Sequence, residues 1–341
     1  MRLMRRLVLA AVLLLATILL VAQFGRLGEF VAVLRQGHPG WLALAFGAQA
    51  LWQAAQAAQW LAAHRAVRLP LRFAEVLPAV LVNNFALLAV PSGSLSTFAL
   101  FTANARQRGR SPAAAGLAVM VFAVFNYLVL AGFALTAAVL LAVRGQLNLL
   151  LALPVLAVLV EALGQYALLL WALRAPAQAE RAAQWALARL NAAAQRVARR
   201  DLLAPERLAA FSAEAADGLA ALRAGGRRAH LWLLAVSLAA KLLLALLFAL
   251  VLRAFGQPAP AALVIVGVSL SAGFSVVSPT PQGVGVTEGA VALALTLFGL
   301  PLETGLVVML AYRALGLWWP FVVGFATLQL SGLRLLRGAA R

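Results

Sequence analysis

The stretch Pro279-Thr-Pro281-Gln-Gly283-Val-Gly285-Val-Thr-Glu288 sits in the middle of an apolar run from Ala259 to Phe298 and splits it into two half-length pieces. A helix needs about 20 residues to cross the hydrocarbon of a bilayer, so neither piece crosses alone. Proline removes a backbone donor and glycine weakens a helix, and the two residue types alternate here. The spacing predicts two short helices joined at a tip made of Pro279, Pro281, Gly283 and Gly285, a hairpin that enters the membrane and turns back.

An earlier stretch has the same character. Residues 74–105 are apolar but interrupted by Pro91-Ser92-Gly93-Ser94. At a constant offset of 190, Pro91 matches Pro281, Gly93 matches Gly283, Thr97 matches Thr287 and Gly109 matches Gly299. The match continues into the following helix, where Val119, Met120 and Phe122 stand against Met309, Leu310 and Tyr312. Internal repeats decide the architecture of many transporters. The sequence therefore predicts a first repeat over about 74–143 and a second over about 259–328, with Pro91 and Gly93 at the first tip. Broken helices leave backbone groups unpaired unless they bury in protein or line a cavity, so the tips mark a candidate substrate site. The alternative is that these prolines and glycines only kink helices.

Outward from the hairpins, other apolar runs are long enough to cross: Leu7 to Phe24, Trp41 to Ala63, Pro112 to Val143, Leu147 to Leu173, Leu231 to Leu252 and Thr304 to Leu328. The chain is 64% hydrophobic and 11% charged, a balance that no water-soluble fold could hide. The Leu/Ala-rich runs lack the alternation of barrel strands, so the backbone must satisfy itself as helix. The N-terminal run behind Arg2, Arg5 and Arg6 reads as an uncleaved first helix rather than a signal peptide.

The formal charge of +18 would suggest nucleic acid in a soluble protein. Here the arginines sit in short connections between apolar runs, the pattern of loops held on the cytoplasmic side, and nucleic acid is not an expected partner. With both Pro/Gly stretches as hairpins, Arg65, Arg68 and Arg72, then Arg106, Arg108 and Arg110, the ten arginines from Arg174 to Arg228, and Arg334, Arg337 and Arg341 all face the cytoplasm. If residues 75–90 crossed fully, most of these would lie outside. The same topology brings one hairpin in from each face, the relation of an inverted repeat. The expected fold is an all-α polytopic membrane protein, a single integral membrane domain over residues 1–341. It has about six spanning helices plus two re-entrant helical hairpins, with both termini cytoplasmic.

Four ionisable residues fall within apolar segments: Glu161, Lys241, Glu288 and Arg313. Each is costly at a helix centre, about 2.5–3.5 kcal/mol on insertion scales, which predicts pairing. Glu288 follows the second tip and Arg313 lies in the next helix, so that pair is the candidate functional one. Glu161 and Lys241 form a candidate structural pair. Asn83, Asn84, Asn126 and Tyr127 read as helix–helix contacts or ligand contacts near the first repeat. Residues 175–228 form the one sizeable stretch outside the membrane. The stripe Leu187, Leu190, Ala194 and Val197, and a second of Leu208, Phe211, Ala215, Leu219 and Leu222, predict amphipathic helices lying on an anionic cytoplasmic leaflet. No constellation of acid, base or metal ligands appears there. Without cysteines, and with His38, His64 and His230 all at span ends, the sequence predicts neither an enzyme nor a metal or cofactor site.

Pro279 to Glu288, followed by Ala311-Tyr312-Arg313 and Trp319-Pro320 with Gly324, resembles the signature of the lysylphosphatidylglycerol synthase membrane-domain family, the flippase-like domain. Pro91-Ser-Gly93 with Gly109-Arg-Ser111 resembles that family's first-half motif. The resemblance implies a domain that moves lipids between leaflets of the bacterial cytoplasmic membrane, with roles for Glu288, Arg313 and the turn Pro281, Gly283 and Gly285. Gln282 departs from the pattern, since glycine is common at that position. Full-length synthases carry a soluble aminoacyl-transferase domain after the membrane part, which this chain is expected to lack. The expected substrate contacts are Arg313, Glu288, Tyr312 and Asn126, with membrane lipids as partners. The competing reading is a non-transporting scaffold or accessory subunit for a lipid-modifying or glycosyltransferase enzyme.

Overall fold

A computed structural model describes residues 27–89, 94–182, 184–185, 188–189 and 205–330. The run Leu7 to Phe24, the tip residues Pro91 and Gly93, the whole first amphipathic stripe, the side chains of Leu208 and Phe211 in the second, and the tail with Arg334, Arg337 and Arg341 lie outside the described residues.

The described residues form helices and connections with no strand. In chain order these are α1 (Leu27–Leu34), α2 (Pro39–Ala66), α3 (Phe73–Ala89), α4 (Ser94–Gln107), α5 (Pro112–Val143), α6 (Leu149–Arg174), α7 (Pro205–Ala224), α8 (Gly226–Ala254), α9 (Ala261–Val277), α10 (Val286–Thr296), α11 (Leu302–Arg313) and α12 (Trp319–Leu330). Their starts follow local chemistry. The Ser111 hydroxyl accepts from the Ala114 amide ahead of Pro112, and Asn148 accepts from the Leu151 amide, each satisfying an orphan donor of a first turn.

Four helices among the described residues are long and apolar enough to cross a membrane: Pro112–Val143, Leu149–Arg174, Gly226–Ala254 and the continuous Leu302–Leu330. Helix α2 has 28 residues, ample length, but Gln49, Gln53, Gln56 and Gln59 dilute its apolar character. The last span is not uniform. Residues Ala314–Trp318 form a π-helical turn between α11 and α12, which the periodicity did not signal.

The two halves of the chain share backbone detail as well as motifs. Helix α4 closes with the Arg108, Gly109 and Arg110 amides donating to Ala105, Arg106 and Ala105, and α10 closes with Phe298, Gly299 and Leu300 donating to Leu295, Thr296 and Leu295. Each of these atoms recurs 190 positions later. Gly109 and Gly299 both take positive φ, 64° and 84°, the left-handed turn that ends a helix. Helix α5 then starts at Pro112 and α11 at Leu302, at the same offset. The correspondence reaches further back than the motifs. The end of α2, where Val67, Arg68 and Leu69 donate to His64, Arg65 and His64, recurs at the end of α8, here at an offset of 188, in Phe255, Gly256 and Gln257 donating to Leu252, Arg253 and Leu252.

Packing respects this correspondence. Helix α2 packs most extensively on α8, its counterpart. Helix α3 packs on α12, and reciprocally α9 packs on α5. The first half is held by Trp60, stacked between Phe101 at 4.0 Å and Phe122 at 3.8 Å, with Val76 and Val80 of α3 beneath it. The largest cluster joins α5, α6, α8, α9, α10 and α11.

Helix α7 begins at Pro205 and ends before Gly225, as its stripe predicts, but the C-terminal end of that stripe is not left for a leaflet. Leu222 is fully buried and Leu219 partly so, in a cluster with Val67, Leu117 and Leu169. Gly218 allows the close approach, since a Cβ there would lie 2.8 Å from Leu117. The Leu219 and Leu222 end of this face packs against the protein's own helices, an arrangement that periodicity alone cannot separate from a membrane surface.

Candidate functional site

The Pro/Gly stretch of the second half is built as the sequence predicts, with α9 ending at Val277, a single 3-10 turn at Pro281–Gly283 and α10 beginning at Val286. Side chains close the tip where helical hydrogen bonds are missing. The Ser278 and Thr280 hydroxyls share a 2.8 Å hydrogen bond, and Thr280 donates to the Val284 carbonyl at 2.9 Å. Gly283 has φ of +71°, and a Cβ there would lie 2.2 Å from the Thr287 hydroxyl and 2.9 Å from the Ser275 Cα, so no other residue fits without displacement. Gln282, where glycine is common in the resembling family, has φ of 52° and ψ of 21°. A left-handed conformation in a residue with a Cβ costs about 1–2 kcal/mol.

Glu288 and Arg313 hold this strained turn. One Glu288 carboxylate oxygen accepts from the Gly285 amide at 2.7 Å, capping α10, and the other accepts from Arg313 Nε at 3.1 Å. Arg313 Nη2 donates to the Gln282 carbonyl at 2.5 Å. Both side chains are buried, each residue 6% exposed. Carboxylate, guanidinium, strained peptide and helix cap thus form one network, in which two guanidinium nitrogens are already engaged by the protein.

The other sequence-predicted site residues are placed differently. Tyr312 is buried and packs edge-on against Phe248, centroids 5.0 Å apart, within the core of the second half. Asn126 is half-buried on α5 and makes no hydrogen bond to the tip. Glu161 is exposed, accepts a hydrogen bond from Gln165 one turn on, and forms no ion pair with Lys241 on α8. Each stands on a helix of its own, and charge balance in the sequence could not reveal that they do not meet. Pro279 and Pro281 flank the tip as expected.

In the first half, Glu75 at the start of α3 pairs with Arg108 at the end of α4, at 2.9 Å, and with Arg110 at 3.5 Å. Arg110 also donates to the Pro70 carbonyl. The open end of the α3–α4 hairpin is therefore laced shut. The end of α3 lies against the second tip, because Leu88 and Ala89 share a cluster with Val284 and with Ala314, Trp318 and Phe321.

Two features escaped the sequence reading. The first is a carboxamide stripe on α2. Gln49, Gln53 and Gln56 recur at helical spacing on one face, and Asn84 of α3 donates to Gln53 at 2.9 Å and Gln56 at 3.3 Å. That spacing was present in the sequence and could have been found. The second is a recess of about 380 Å³ between the end of α2, the end of α7 and the start of α8, lined by Arg65, Arg68, Ala221 and Trp232. An open groove beside it carries Arg227, Arg228, Leu231 and Trp232. None of these four arginines forms an ion pair among the described residues. No group of three or more His, Asp or Glu side chains that could hold a metal is found there either.

No curated protein and no solved structure matches the chain. Residues 6–324 match the family described as the lysylphosphatidylglycerol synthase TM region. That span includes the second tip, the Glu288–Arg313 pair, the arginine-lined recess, the first three apolar spans and most of the fourth. The chain is a multi-pass helical membrane protein and belongs to the lysylphosphatidylglycerol synthase transmembrane-region family.

Proposed function

We infer that this protein moves a lipid or lipid-linked headgroup between the leaflets of the membrane, by way of two helical hairpins that enter from opposite faces. The observation that carries this reading is the network at the second tip. A buried ion pair is a poor source of stability, since apolar residues of similar size serve as well or better. Glu288 and Arg313 instead fix one helix cap and one strained carbonyl within a break in the helix. Such breaks persist at membrane depth where they border protein or a polar cavity, and transporters place their sites there.

Three further observations support it. The Glu75–Arg108 contact brings the two ends of the first hairpin together, as re-entry requires. The backbone correspondence at offset 190, with its reciprocal packing, fits an inverted repeat. The recess with Arg65 and Arg68, beside Arg227 and Arg228, suits an anionic headgroup waiting at the cytoplasmic leaflet. In this reading Arg313 holds the tip in its transporting shape and Glu288 positions Arg313. No Gly-rich Lys-Ser/Thr loop is present in the sequence, so movement is passive or gradient-driven rather than ATP-powered.

The test is purified protein in liposomes containing lipids labelled on an acyl chain, with an impermeant quencher outside. The expected result is quenching of inner-leaflet label beyond that of protein-free vesicles, slowed by Arg313→Lys and Glu288→Gln. If the wild type moves no label, while Arg313→Ala destroys the activity of a co-purifying lipid-modifying enzyme, the scaffold reading replaces this one.

A further inference from the structure

The buried carboxamides between α2 and α3 are not consumed by the fold. Gln49 is fully buried, yet neither its amide nitrogen nor its amide oxygen has a hydrogen-bond partner. Gln53 is 8% exposed. Its oxygen accepts from Asn84, but its nitrogen has no partner. Asn83, next to Asn84 and 4% exposed, has an unpaired Oδ1. Leaving a buried polar group unpaired costs about 1–3 kcal/mol, and in hydrocarbon there is no water to relieve it. Leucine at position 49 would be cheaper in every respect except the ability to bind something polar, and at position 53 it would forfeit only the bond from Asn84.

The place and the chemistry narrow what that is. Helices α2 and α3 are joined by a short connection and packed against each other, so passing from Gln56 through Gln53 to Gln49 leads away from the connection and toward the hairpin tips. One turn beyond Gln49, Phe46 meets Trp319 edge-on at 5.6 Å, at the beginning of α12. The neighbouring Trp318 shares its cluster with Leu88, Ala89 and Val284 of the tip region. The open atoms are two donors and two acceptors, all on uncharged groups. A phosphate or carboxylate would satisfy the donors and oppose the acceptors. An ammonium would do the reverse. A hydroxyl donates and accepts at once, and adjacent hydroxyls match a stripe of alternating donors and acceptors.

We propose that Gln49, Gln53 and Asn83 form a headgroup site that takes an uncharged, hydroxyl-bearing moiety, the glycerol or sugar portion of a lipid headgroup. This deepens the transport reading and rests on it for the identification of the ligand as a lipid. Arg313 then holds the tip, while the amides of α2 and α3 read the headgroup.

The experiment uses the full chain in two assays. Thermal unfolding in detergent is followed with added phosphatidylglycerol, monoglucosyl diacylglycerol or phosphatidylcholine, the last having no hydroxyl on its headgroup. Transbilayer movement of the same three lipids is followed in liposomes. The wild type is expected to be stabilised by the glycerol or the sugar lipid over the choline lipid, and the preferred one identifies the source of the hydroxyls. Gln49→Leu/Gln53→Leu is expected to melt higher than wild type without lipid, because three unpaired amide atoms are removed for the loss of one bond from Asn84, whose amide Gln56 still accepts. It is expected to lose the lipid-dependent shift and to move the preferred lipid at least about tenfold more slowly. Gln49→Leu alone serves as the second variant if the double substitution does not fold. A variant that keeps the wild-type lipid shift and rate, or a wild type stabilised equally by the choline lipid, overturns the site. A wild type that moves no lipid but shows the selective, amide-dependent shift overturns transport and leaves the site standing.

Discussion

Glu75 and Arg108 stand at the two ends of the first helical hairpin and meet in a 2.9 Å ion pair, so the chain leaves α4 beside the point where it entered α3. The Glu75 carboxylate also accepts from the Arg72 amide at 2.8 Å, which makes it the first-turn cap of α3 as well as the clasp of the hairpin.

This contact sets a pH dependence. The Arg72 amide chiefly, then the guanidinium charges of Arg110, Arg108 and Arg72, hold the Glu75 carboxyl below its ordinary value of 4.5. A depressed folded value means the contribution is complete above the unfolded value and is lost as pH falls through the folded one. Hydrogen exchange at the Arg106 to Arg110 amides is expected to be independent of Glu75 ionisation from neutral pH down to about 5 and to accelerate below about 4.5. In Glu75→Gln it should be faster at neutral pH and lack the acid transition. An identical acid transition in both proteins would remove Glu75 from the account.

The buried pair at the second tip predicts strong coupling. Arg313→Ala strands the Glu288 charge and Glu288→Gln strands that of Arg313, each destabilising by about 3–5 kcal/mol. Glu288→Gln/Arg313→Met removes both charges and keeps an acceptor for the Gly285 amide, so its loss is expected to be smaller than either single loss. Thermal unfolding of the three proteins in one detergent checks this. Losses that simply add would show that the two side chains act separately.

Gln282 is held at a φ that glycine adopts freely. Gln282→Gly keeps the carbonyl that Arg313 uses and relieves the side chain's strain, so it is expected to raise stability by up to about 1 kcal/mol after glycine's entropic disadvantage. A lower melting temperature would show that the Gln282 side chain contributes more than its backbone strain costs.

Helix α12 reaches α3 through a glycine. A Cβ on Gly324 would lie 2.2 Å from the Leu81 carbonyl and 2.9 Å from the Phe85 Cβ. Gly324→Ala must push the two helices apart, and a loss of about 1–3 kcal/mol is expected, measured by unfolding. Gly132→Ala, with open space around its Cβ, is the control and should be close to neutral.

Much of this was legible beforehand because proline, glycine and charge act locally or through the bilayer. Pro112 to Val143 was read to the residue, and the break at Pro279 to Gly285 falls where it was predicted. The Glu288–Arg313 pair followed from the difficulty of leaving either charge alone in hydrocarbon. Three things were not legible. Glu161 and Lys241 looked like a pair by the same logic, but they stand on α6 and α8 without meeting, and Glu161 accepts a hydrogen bond from Gln165 on its own helix instead. The stripe on α7 was assigned to a lipid surface, whereas Leu219 and Leu222 face protein, and both surroundings demand the same periodicity. The carboxamides of α2 were read as part of a spanning run, because glutamine is uncharged and does not break a helix, and only α3 packing beside them shows where they point.

The central claim is that the two hairpins enter from opposite faces, and labelling by thiol accessibility tests it most directly. The chain contains no cysteine, so Arg106→Cys in the last turn of α4 and Glu303→Cys in the first turn of α11, both at exposed positions, can each be placed alone. In sealed, uniformly oriented vesicles an impermeant maleimide is predicted to react from opposite sides with the two thiols. Reaction of both from the same side would contradict the opposed arrangement and, with it, the transport mechanism built upon it.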